Sequence, residues 1–71
     1  MAIQSKYKNT QVEAIISDVL AVLDNHQAPT DLSLMVLGNC VSHLLHTKVP
    51  DVSREAVAEQ FAKALSQSTK K

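Results

Sequence analysis

"APTDLSLMVLGNCVSHLLHT", residues 28–47, is the stretch on which the fold turns. It opens on Thr30 and Asp31, either of which can serve as a helix N-cap. Their side-chain oxygens accept from free backbone amides, and the Asp charge suits the helix dipole. Leu34, Leu37, Val41, Leu44 and Leu45 then recur at helical spacing, in a stripe about 100° wide. Leu32, Met35 and Val36 fall outside that stripe, on its flank and far side. From Asn39 onward the far side turns polar, with Ser42, His43, His46 and Thr47. The first half of this helix is therefore apolar on almost every side, and such a helix needs two hydrophobic contacts.

Upstream, the pattern predicts a helix over about residues 10–26. Thr10 and Glu13 stand at capping-box spacing, so that each side chain can serve the other's backbone amide. Val12, Ile15, Ile16, Val19, Leu20, Val22 and Leu23 cover about 160° of its surface. Pro29 disfavours helical geometry at Ala28, so the helix should end near Asn25–His26. Residues 1–9 form a polar arm carrying Ile3 and Tyr7. Downstream, Pro50 stops the central helix, expected over 30–47, and Asp51 or Ser53 starts a third over 51–67. Val57, Phe61, Ala64 and Leu65 share one face of it, with Ala58 beside them. Glu59 and Lys63 stand at i,i+4 on the other side, a pair worth about 0.3 kcal/mol when exposed. Residues 68–71 read as a frayed tail, which leaves 10–67 as a single three-helix domain.

The composition agrees with an all-α globular chain. Hydrophobic residues make up 45% and charged residues 20%, while glycine occurs once and proline twice, so turn signals are few. Seven basic and seven acidic residues give no net charge. A dedicated nucleic-acid or membrane-surface binder is disfavoured, because both depend on a positive field. Lys6, Lys8, Lys70 and Lys71 lie near the ends and read as solubilising residues. No signal peptide and no apolar run of membrane-spanning length is visible. A lone cysteine suits a reducing compartment, and the cytoplasm follows by elimination.

Size points to a partner subunit. A core of this length rarely supplies more than roughly 3–5 kcal/mol, and small domains add a disulfide, a metal or another chain. Cys40 is the only cysteine, and no His/Cys cluster has zinc-site spacing. Leu32, Met35 and Val36 would form an exposed hydrophobic patch on a lone subunit. Burying each is worth roughly 1.5–3 kcal/mol. Gly38 costs its helix about 1 kcal/mol relative to Ala, which a close approach of another backbone would explain. It is otherwise tolerated, or packed against the first helix of its own chain. Asn39 lies beside the apolar surplus, either fixing register across a subunit contact or simply solvated. The predicted dimer interface is Leu32, Met35, Val36, Gly38 and Asn39.

Catalytic chemistry is not indicated. His43 and His46, three apart on the outer face, supply two ligands where a zinc site needs three or four. His26 falls near the end of the first helix, where a cationic side chain suits the dipole. Cys40 lies between the stripe and its flank and reads as a small hydrophobe, with no base aimed at it. The acidic residues are scattered, and no glycine-rich phosphate loop is present. The expectation is therefore no catalytic residues, cofactor, metal or small-molecule ligand.

"QVEAIISDVLAVLDNHQAPTDLSLMVLGN", residues 11–39, resembles the YejL family of small gammaproteobacterial proteins. Ala28 to Asn39 is the most specific part, and the likeness continues more loosely through "QFAKAL" at 60–65. The resemblance implies an intertwined homodimer of three-helix subunits, with no enzymatic activity or cofactor. Cys40 departs from relatives that carry another apolar residue there, which further weakens a catalytic thiol. The expected function is a structural or protein-interaction module presenting a symmetric helical surface to a protein partner. The alternative is a small dimeric nucleic-acid-associated regulator, since paired helices often read DNA. Arg54 is the only arginine, which counts against that alternative. An enzyme would need a pocket shared between subunits and lined by His43 or His46.

Overall fold

The computed structural model describes residues 6–70. Three helices account for most of them: α1 Asn9–Asn25, α2 Thr30–Lys48 and α3 Asp51–Thr69. No strand occurs among the described residues, so the all-α expectation and the helix order hold. Ile3 and the rest of residues 1–5, assigned above to the polar arm, lie outside the described residues, as does Lys71.

Each helix starts earlier than its capping signals suggest. Lys8 occupies the cap position of α1 with extended backbone and no side-chain cap, and its carbonyl accepts from the Val12 amide at 3.1 Å. Thr10 therefore falls inside the first turn, and the capping box with Glu13 does not form. In α2 the Pro29 carbonyl accepts from the Ser33 amide at 2.8 Å, which places the proline, not Thr30 or Asp31, at the helix start. Pro50 plays the same part for α3. A proline there has a preset φ and no amide of its own to leave unsatisfied. Asp31 and Asp51 instead sit in the first turns, where their charge still complements the dipole. At the other end α3 continues through Ser68 and Thr69, which the sequence assigned to the tail.

The turn between α1 and α2 is closed by the backbone. Gln27 takes a positive φ of 55°. Its amide donates to Asp24 O at 2.9 Å, and the Ala28 amide donates to Leu23 O at 3.0 Å. This is a Schellman ending, which satisfies two carbonyls that the helix leaves over, with glutamine where glycine is usual. Leu23 and Ala28 are both half-buried, as the accompanying apolar contact of that motif requires.

Packing divides the described chain into two units that meet within α2, between Leu37 and Gly38. The first comprises α1 and the start of α2. Val12, Leu23, Ala28, Ser33 and Leu37 are its half-buried residues. The second comprises the rest of α2 and α3, with Val41, Leu45, Val49, Ser53, Arg54, Ala58 and Ala64 half-buried. Along the central segment the half-buried positions are 33, 37, 41, 45 and 49, a single row at four-residue spacing. Such a row is one packing ridge of a helix, narrower than the stripe read from the sequence.

No described residue is buried. Leu34 and Leu44, expected on the stripe facing their own subunit, are 65% and 53% exposed. The reason is geometric: a single line of helix contact covers one row of side chains and leaves its flanks open.

Candidate interaction surface

Leu32, Met35, Val36 and Asn39 fall at i, i+3, i+4 and i+7 along α2, the spacing of one helix face. All four are exposed, Met35 at 62% and Val36 at 38%. Gly38 lies three residues on from Met35, at the edge of this face. A Cβ added at Gly38 would meet nothing within 4 Å. No described hydrogen bond of the subunit engages the Asn39 side chain, which is left to solvent or to another chain.

The open apolar surface is larger than the five residues predicted. Leu34 and Leu44 extend it on the other side of α2. On α1, Ile15, Ile16, Val19, Leu20 and Val22 are all at least 40% exposed, although they form the very stripe expected to make a core. Tyr7 stands at the start of this surface, lining a shallow apolar concavity with Gln11, Val12, Ile15 and Ile16. The Lys6 ammonium lies 5.5 Å from the Tyr7 ring centroid, a cation–π distance. On α3, Phe61 and Leu65 remain open as well. The sequence signal for this wider surface was present in the 160° stripe of α1, which is broader than one neighbouring helix can cover.

Arg54 carries the main polar construction of the second unit. Its Nε donates to Leu45 O at 2.9 Å, and Nη2 donates to His46 O at 3.2 Å and Val49 O at 3.1 Å. Nη1 pairs with Asp51 Oδ1 at 2.7 Å. The carbonyls at the end of α2 have no partners inside the helix, and a cation there also complements the dipole. The guanidinium thus closes α2 and ties it to the first turn of α3. Sequence reading treated Arg54 only as the lone arginine. The expected Glu59–Lys63 ion pair does not form.

The other candidates are not gathered into a site. Cys40 is exposed and free. His43 and His46 lie on the exposed side of α2, and no group of three or more potential metal ligands occurs among the described residues. His46 lines an open concavity with Ser42, Leu45, Asp51, Arg54, Glu55 and Ala58. Arg54 and Asp51 there are already engaged with each other, and Arg54 also with backbone carbonyls. His26 is the C-cap residue of α1, and its amide donates to Val22 O at 3.2 Å. No described helix is long and apolar enough to cross a membrane.

Comparison with known proteins finds relatives along the sequence. The profile of a family described as "Protein of unknown function (DUF1414)" matches residues 26–69, which takes in α2 and α3. A UPF0352 protein of Shewanella denitrificans is 79% identical over 70 residues, covering 99% of this chain and all of that protein. A UPF0352 protein of Shewanella frigidimarina matches equally, at 79% identity with the same coverage. A more distant UPF0352 protein, from Pseudoalteromonas translucida, is 56% identical over 70 residues, again covering 99% of this chain and all of the relative.

Proposed function

Given that the chain belongs to the DUF1414 family, whose UPF0352 relatives in Shewanella and Pseudoalteromonas share its full length, we propose that it works as an intertwined homodimer without catalytic activity. Its role is that of a structural or protein-interaction module in the cytoplasm, offering a symmetric helical surface to a protein partner. The observation that carries this reading is the absence of any buried residue among those described. A chain with 45% hydrophobic residues, none of them buried among those described, finds its core against another chain.

The apolar character of the open residues supports a second copy as the missing partner. Ile15, Ile16, Leu20 and Val22 of α1 and Leu32 and Met35 of α2 stay open, and obligate homodimer interfaces are the more hydrophobic ones. A two-fold pairing also satisfies the self-complementary character of an apolar face. In this reading Leu32, Met35, Val36, Gly38 and Asn39 lie at the contact, joined by Leu34, Leu44 and the open stripe of α1. Gly38 then marks a close approach of the partner's backbone, since nothing in its own subunit calls for a glycine.

Light scattering or sedimentation at micromolar concentration tests the pairing. The mass of two chains is expected. A well-folded single chain would remove the architecture and, with it, the symmetric surface.

A further inference from the structure

We draw no further inference here: the strongest candidate, the shallow concavity along α1 lined by Ile16 and Leu20 and edged by the Glu13 and Asp24 carboxylates, belongs to the open apolar stripe already assigned to the subunit contact, and nothing in the structure shows what else covers it.

Discussion

The Arg54 guanidinium donates from Nε to the Leu45 carbonyl at 2.9 Å, nine residues back along the chain, across the corner between α2 and α3. Its Nη2 reaches His46 O and Val49 O from the same fork. Three carbonyls around one corner thus depend on a single side chain that is itself only partly exposed.

Replacing Arg54 by Ala should lower stability by about 1–3 kcal/mol, because charge-assisted hydrogen bonds are lost and the last carbonyls of α2 lose their partners. Arg54→Lys should recover only part of this, since an ammonium lacks the planar fork that spans several acceptors. Urea unfolding of the three proteins at one fixed concentration measures both differences. Equal stability of the Lys and Arg forms would mean that charge alone holds the corner.

At the other corner, Gln27 sits at φ 55° with its amide engaged by Asp24 O. The left-handed region costs a non-glycine residue roughly 1 kcal/mol. Gln27→Gly should therefore raise stability, by up to about 1 kcal/mol after the added entropy of the unfolded glycine is counted. Thermal unfolding at matched concentration reads this out, and a lower midpoint would show that the glutamine side chain contributes more than its backbone strain removes.

Much of the fold was legible from Pro29, Pro50 and the helical spacing of the leucines and valines. Prolines break a helix for a local steric reason, so their effect can be read without tertiary information. The starts of α2 and α3 come earlier than expected for the same cause: Pro29 and Pro50 hold the cap positions expected of Thr30 or Asp31 and of Asp51 or Ser53. Arg54 was not legible, because a side chain that satisfies carbonyls five to nine residues back leaves no periodic trace in sequence. The positions of Leu34 and Leu44 were misjudged because a wheel gives which residues share a face, not how many of them a neighbouring helix covers. Of the proposed surface, the spacing of Leu32, Met35, Val36 and Asn39 was readable, and the 160° stripe of α1 signalled more apolar surface than one helix covers, whereas which of its residues stay open required the structure.

Gly38 gives a sharp test of how α2 meets its twin. In an exposed helix interior Gly→Ala stabilises by about 1 kcal/mol. Nothing in the subunit opposes an added Cβ at this position. If the partner's backbone approaches closely, Gly38→Ala should fail to gain that stability, and Gly38→Leu should weaken the dimer outright. A gain of the full amount on Gly38→Ala would place the crossing elsewhere.

Met35 and Val36 carry the apolar face most directly. Met35→Asp or Val36→Asp would bury an unpaired charge in the proposed contact, which costs several kcal/mol. Loss of the dimer, with loss of helicity, is the expected outcome by sedimentation and circular dichroism. His43→Ala, on the exposed side of α2, should change stability by no more than about 0.5 kcal/mol. Charged variants that remain folded dimers would take Met35 and Val36 out of the interface.

The most direct measurement is the solution mass of the unmodified chain by sedimentation equilibrium at micromolar concentration, read beside its helical content. Pairing through the open faces of α1 and α2 predicts two chains per particle and high helicity. A particle of one chain with the same helicity would contradict it, since a lone subunit would then be stable with no described residue buried.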